Sequence, residues 1–79
     1  MPIFVRDIMS KPVYKIDGKK SIKDAATMIK KTRRGFLVVT KGNRPVGVLS
    51  DSDIVGKVVA SDMKPSKTRV EDIMTRHFV

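Results

Sequence analysis

Seventy-nine residues carry 17 Lys plus Arg against 8 Asp plus Glu, a formal charge of +9, with no Cys, no Trp and one His. That length allows a single small domain whose core is marginal alone. Without Cys, disulfides and zinc–thiolate sites are excluded, and one His cannot build a histidine metal site, so a partner chain is the expected reinforcement.

At 41% hydrophobic and 32% charged, the chain is too apolar for a disordered basic tail. No apolar run approaches the roughly 20 residues of a membrane span, and residues 1–10 lack a signal-peptide core. A folded cytoplasmic domain with no membrane partner is expected, in keeping with the Cys-free composition. The positive charge suits a nucleic acid, an anionic small ligand, an acidic partner or a solvated surface.

In chain order, residues 5–9 allow one helical turn, which Pro12 ends by pushing the preceding residue out of the helical region. Val13-Tyr14-Lys15-Ile16 reads as a strand and Asp17-Gly18 as a turn. Residues 21–33 form the clearest helix, with Ile22, Ala25, Ala26 and Ile29 in one apolar stripe and Lys23, Thr27 and Lys30 facing water. Ser21 with Asp24 resembles a capping box, Lys30, Lys31, Arg33 and Arg34 complement the negative end of the helix dipole, and Gly35 is the expected stop. Phe36-Leu37-Val38-Val39-Thr40 reads as a buried strand. Lys41-Gly42-Asn43-Arg44 then turns the chain back into Pro45-Val46-Gly47-Val48-Leu49. Ser50-Asp51-Ser52-Asp53 opens a second helix whose apolar face is Ile54, Val55, Val58 and Val59, and residues 61–68 make a polar linker. The fold class is α/β: strand, helix, strand, strand, helix, with two helices on one face of a short sheet.

The chain also repeats itself. Val5-Arg6-Asp7-Ile8-Met9-Ser10-Lys11 recurs 65 residues later as Val70-Glu71-Asp72-Ile73-Met74-Thr75-Arg76, with Val, Asp, Ile and Met identical. The expected organisation is one full unit over residues 1–69 and the start of a second repeat, or a C-terminal tail, over 70–79. Either the chain is cut there, or the second opening persists because it packs on the first unit.

The stretch Gly47-Val48-Leu49-Ser50-Asp51-Ser52-Asp53 is the candidate for chemistry. A strand entering a helix offers unpaired N–H groups and a positive dipole end that suit phosphate, with Ser50 as an added donor. Asp53 would accept from two ribose hydroxyls, and Gly47 would admit a ligand or a neighbouring backbone. Ser-x-x-Asp is equally an ordinary capping box that needs no ligand.

Asp-Ile-Met-Ser-x-Pro-Val, then Ser-Ile-x-Asp-Ala-Ala-x-Met, a Val-Val strand, and Gly-Val-Leu-Ser-x-x-Asp-Ile together resemble a CBS domain, the cystathionine-β-synthase-type regulatory module. The likeness covers residues 5 to about 61, with a second such unit opening at Val70. It implies a β-α-β-β-α sandwich that works in pairs, as half of a Bateman module, and binds adenosine-containing ligands (AMP, ATP or S-adenosylmethionine) in the clefts between units. By position it assigns Ser50 to phosphate and Asp53 to ribose. Pro12, Val13, Tyr14, Arg34, Gly35 and Phe36 would surround adenine, with Arg33 and Arg34 near phosphates. Leu37 departs from the family pattern, which usually has Pro there.

The remaining features have plainer readings beside them. Arg33 and Arg34 also complement a helix dipole, and Lys19, Lys20, Lys23, Lys30 and Lys31 form a solvated face, a nucleic-acid surface or a contact for an acidic partner. With few aromatics among these cations, base stacking is poorly served. Met9, Met28, Met63 and Met74 read as core or interface fillers, and His77 as structural or exposed. Gly56 reads as a close helix–helix contact across a dimer interface or a tolerated surface glycine. No nucleophile–base constellation is present, so no enzymatic activity is expected and no cofactor is obligatory. The expected function is a regulatory, homodimeric or tandem-paired nucleotide-binding module. Its alternatives are a structural dimerisation module without ligand and a basic nucleic-acid-binding domain.

Overall fold

The computed structural model describes residues 13–76. The readings at residues 5–12, Pro12 among them, and at His77 lie outside the described residues. Strand β1 (Lys15–Asp17) leads to helix α1 (Ile22–Thr32), then β2 (Phe36–Lys41) and β3 (Arg44–Ser50). Helix α2 (Asp51–Asp53) runs directly into a π-helical segment (Ile54–Val59), followed by a 3₁₀ turn (Pro65–Lys67) and helix α3 (Val70–Ile73). The sheet order is β1-β2-β3, with β1 parallel to β2 across α1 and β2 antiparallel to β3. This is the α/β sandwich that the element order predicts.

Strand alternation sets the layers. Ile16, Leu37, Val39 and Leu49 point to the helical layer, where they meet Ile22, Ala25, Val58, Val70, Ile73 and Met74. Val38 and Val48 pair on the opposite face and are buried as well. Between Val39 and Thr40 the ladder slips, because Val39 faces Gly47 while Thr40 faces Pro45. Val46 is the extra residue, turned against the core, and the bulge places Pro45 near the strand start where its missing N–H costs little. The two-residue loop between β2 and β3 has its positive φ at Gly42, +64°.

Ser21 caps α1 as expected, its hydroxyl accepting from the Asp24 N–H at 3.1 Å. Two details of α1 differ from expectation. The stop is not at Gly35: Arg33 takes the left-handed conformation at φ 58° and its N–H donates to the Ile29 carbonyl at 2.9 Å. Ala26 is exposed, and Met28 joins Ile29 against the core instead. Ala26 lies on the flank of a stripe that the narrow sheet covers only along Ile22, Ala25 and Met28/Ile29.

The second helical stretch presents a similar contrast. Val58 is buried and Ile54 packs against the core, but Val55 and Val59 are 61% and 64% exposed, and Met63 is 41% exposed. The four-residue apolar face is wider than the single layer beneath it. Among the described residues Gly56 has no close helix contact, since a Cβ there would meet nothing within 4 Å. Among the described residues, no helix is long and apolar enough to cross a membrane.

The second copy of the repeat closes the core. Val70 and Glu71 donate to the carbonyls of Lys20 and Gly18, each at 2.9 Å, and Thr75 exchanges two 2.8 Å backbone hydrogen bonds with Val48 on the outer edge of β3. Val70, Ile73 and Met74 are buried. Residues 70–75 are thus held against the turn after β1 and the edge of β3.

Candidate functional site

Tyr14, Arg34, Gly35, Phe36 and Ser50, among the residues that the sequence nominates, lie at one end of the sheet, where β1 and β2 begin and β3 finishes. The Val38 N–H donates to the Tyr14 carbonyl at 2.9 Å, which carries the β1 pairing back to Tyr14. Arg34 holds its guanidinium 6.0 Å from the centre of the Tyr14 ring, at the outer range of a cation–π contact. Phe36 pairs with Ser50 across β2 and β3, and the Asp51 N–H donates to the Gly35 carbonyl at 2.9 Å. Tyr14 and Phe36 are 44% and 37% exposed, and Arg33, Arg34 and Gly35 are exposed. Tyr14, Arg34, Phe36 and Ser50 therefore lie at the same end of the sheet, its strand-end rim, with Phe36 and Ser50 on the face of Val38 and Val48. Val13 is half-buried just before Tyr14.

Asp53 lies one turn below this rim. The Ser50 hydroxyl accepts from the Asp53 N–H at 3.1 Å, and the Asp53 Oδ2 accepts from the Ser50 N–H at 3.0 Å. This is the reciprocal capping box of an ordinary helix start. Ser50 Oγ also lies 3.0 Å from the Ser52 hydroxyl. Further contacts were not legible as site features. The Thr75 hydroxyl donates to both Asp53 oxygens, at 3.2 and 3.3 Å, and Lys57 Nζ stands 3.3 Å from Oδ1. Lys57 also donates to the Ile73 carbonyl at 3.0 Å. The i, i+4 spacing of Asp53 and Lys57 is one available signal for that pair. For Thr75, the signal is its place as the counterpart of Ser10 in the repeat.

The Asp53 side chain is only 14% exposed. Burial alone would raise its pKa, but the hydrogen bonds from Ser50 and the nearby Lys57 charge outweigh that and hold it below the usual carboxylate value. The carboxylate is thus charged at neutral pH and already engaged.

At Gly47 it is neighbouring backbone, the second of the two alternatives, that approaches closely. A Cβ there would come within 2.7 Å of Met74 Sδ and 2.9 Å of the Thr75 carbonyl oxygen. The close approach is made by the chain's own C-terminal segment, so Gly47 is buried beneath Met74 rather than open on the rim. Arg33 caps α1 beside the rim, and among the described residues it forms no hydrogen bond or ion pair with the other nominated side chains. Two surface cavities lie elsewhere: one of 380 Å³ between β1 and α1, reaching Lys15, Lys20 and Met28, and one of 190 Å³ reaching Lys19, Lys41 and Arg76. Among the described residues, none of the nominated ones lines either.

Comparison with known proteins adds to this geometry. A family model described as CBS domain matches residues 5–60. A CBS domain-containing protein of Arabidopsis thaliana, CBSCBSPB3, is 35% identical over 51 residues, covering 65% of this chain and 9% of that protein. The chain is similar in structure to a cystathionine beta-synthase domain protein fused to a Zn-ribbon-like domain. Its TM-score is 0.78 and its identity 31%, covering 82% of this chain and 93% of that one. It is also similar to a hexameric CBS-CP12 protein from bloom-forming cyanobacteria, with TM-score 0.77 and 31% identity, covering 100% of this chain and 45% of that one.

Proposed function

The chain belongs to the CBS domain family, and from that premise we propose that it is a regulatory module that pairs with a second unit and binds an adenosine-containing ligand at the strand-end rim. Proteins of this family are generally regulatory modules. The supporting observation is the convergence of Tyr14, Arg34, Gly35, Phe36 and Ser50 at one end of the sheet. Partly exposed Tyr14 and Phe36 supply flat apolar surface for a purine. Arg34 and the Ser50 hydroxyl supply donors for phosphate. Asp53 supplies a charged acceptor for ribose hydroxyls.

Pairing completes the cleft, because a rim this open on one side cannot bury most of a nucleotide by itself. The exposed Val55, Val59 and Met63 offer an apolar contact for a second copy or a tandem unit. That a CBS-CP12 relative is hexameric is consistent with association through such units. The ligand (AMP, ATP or S-adenosylmethionine) would act by favouring one arrangement of the paired units over another, to the extent of its differential affinity for the two. The chain spans 9% of its curated relative, so the effector it governs belongs to the proposal too.

Calorimetric titration of the wild type and of Asp53→Ala with AMP, ATP and S-adenosylmethionine tests the reading. Saturable binding of one of them that the substitution weakens supports it. Absence of heat with all three leaves Ser50 and Asp53 as a helix cap in a pairing module.

A further inference from the structure

Asp53 is already engaged by three donors. A carboxylate offers about four lone-pair positions, and here Lys57 Nζ lies against Oδ1, the Ser50 N–H donates to Oδ2, and the single Thr75 hydroxyl proton is shared between the two oxygens. The Ser50 contact is part of the helix start and stays with it. The Thr75 contact comes from a different segment, 22 residues away. The one Thr75 hydroxyl proton lies between the two oxygens, in the place where a pair of vicinal hydroxyls would donate one proton to each.

We propose that the Thr75 hydroxyl is an internal competitor for Asp53, so that a ribose diol and the C-terminal segment contend for the same two oxygens. The inference rests on the nucleotide reading of the rim and adds a coupling to it. Thr75 also holds that segment to the sheet edge through its paired backbone bonds with Val48. Lys57 works on the same side, joining the Asp53 carboxylate to the Ile73 carbonyl at the end of α3. Ligand that captures Asp53 therefore withdraws one anchor of residues 70–76 and disturbs a second. Occupancy of the rim is read out as loosening of the segment that continues the chain. Thr75 and Lys57 act here as positioning residues for Asp53.

The experiment compares AMP and ATP binding to the wild type, Thr75→Val and Thr75→Ser, with amide hydrogen exchange of the full chain measured by NMR with and without ligand. Removing the competing hydroxyl in Thr75→Val is expected to tighten binding about fivefold, the scale of one net hydrogen bond. Thr75→Ser keeps the hydroxyl and is expected to match the wild type. Saturating ligand is expected to speed exchange at the Thr75 and Val48 amides of the wild type. Equal affinities for wild type and Thr75→Val, with unchanged exchange at Thr75 and Val48, overturn the competition while leaving the nucleotide site intact. No binding to any of the three proteins overturns the nucleotide reading itself, and the competition with it.

Discussion

Ser50 and Asp53 hold each other at the start of the second helix, each donating its backbone N–H to the other's side chain, at 3.0 and 3.1 Å. The pair satisfies two N–H groups that a helix start leaves without partners. It also fixes the Asp53 carboxylate beneath the rim, within reach of Lys57 and Thr75. Ser50→Ala removes the acceptor for the Asp53 N–H and is expected to lower stability by about 1 kcal/mol, the usual cost of losing such a cap. Urea unfolding of both proteins measures it, and a Ser50→Ala midpoint equal to the wild type would contradict the cap.

The same carboxylate gives a pH signature. Its folded-state pKa lies below the ordinary value because hydrogen bonds from Ser50 and the charge of Lys57 outweigh burial, which alone would raise it. A lowered carboxylate pKa contributes stability that is fully present above the unfolded value and is lost as pH falls through the folded one. Stability is therefore expected to decline on acidification below the ordinary carboxylate range, and Asp53→Asn should flatten that part of the curve. Thermal unfolding followed across acidic pH for both proteins shows the difference. Parallel curves would assign the acid sensitivity to other carboxylates.

Most of the fold is written in local patterns. The apolar spacing of Ile22, Ala25 and Ile29, the Gly42-Asn43 turn and the Ser50-to-Asp53 start each depend on residues close in sequence, and each appears where the pattern puts it. The misread or undecided positions depend on what lies across space. Val55 and Val59 share the apolar character of Val58, and only the width of the covering layer leaves them exposed. Gly47 reads as admitting either a ligand or neighbouring backbone, and which of the two is decided only where Met74 and Thr75 come to lie over it. The rim residues are legible because strand order brings the starts of β1 and β2 beside the end of β3. The grip of Thr75 on Asp53 is a contact between distant segments, visible beforehand only as a matching position in the repeat.

Two glycines illustrate opposite demands on space. At Gly47 a methyl group would collide with a backbone carbonyl oxygen that cannot swing aside, as well as with Met74 Sδ. Gly47→Ala is expected to destabilise the domain by about 1–3 kcal/mol, as overpacking does, and to dislodge the Thr75 edge contact. At Gly56 the space is open and φ is not positive. Gly56→Ala is expected to stabilise by roughly 0.5–1 kcal/mol through restriction of the unfolded chain. Chemical denaturation of the two variants should move the midpoint in opposite directions, and a shift of the same sign in both would refute the contrast.

Arg33 ends α1 in a conformation that L-residues resist. Its φ of 58° brings its N–H to the Ile29 carbonyl, closing the helix in the place where glycine is commonest. The left-handed region costs a non-glycine residue roughly 1–2 kcal/mol, part of which glycine returns through its freer unfolded state. Arg33→Gly is expected to raise the melting temperature by a few degrees, a gain of up to about 1 kcal/mol. Gly35→Ala should be nearly silent, since its added methyl meets only ordinary contact distances, 3.6 Å from Asp51 Oδ2. A larger loss at Gly35 than at any neighbouring exposed position would restore it as the helix stop.

Val55 and Val59 are the largest test of pairing. Both stand on one side of the second helix with Gly56 between them, more than half exposed, while Ile54 and Val58 from the same stretch face the core. Such side chains contribute little to the fold of a single chain, and burying them against a second copy would remove apolar surface from water at about 25 cal/mol per Å². The double substitution Val55→Glu and Val59→Glu is expected to leave the unfolding midpoint of the dilute protein nearly unchanged. It should shift the sedimentation profile toward the monomer at concentrations where the wild type associates, because two carboxylates facing their counterparts across an interface repel and lose water together. If the variant sediments like the wild type over the same concentrations, these valines are not the contact and association runs through another face of the domain.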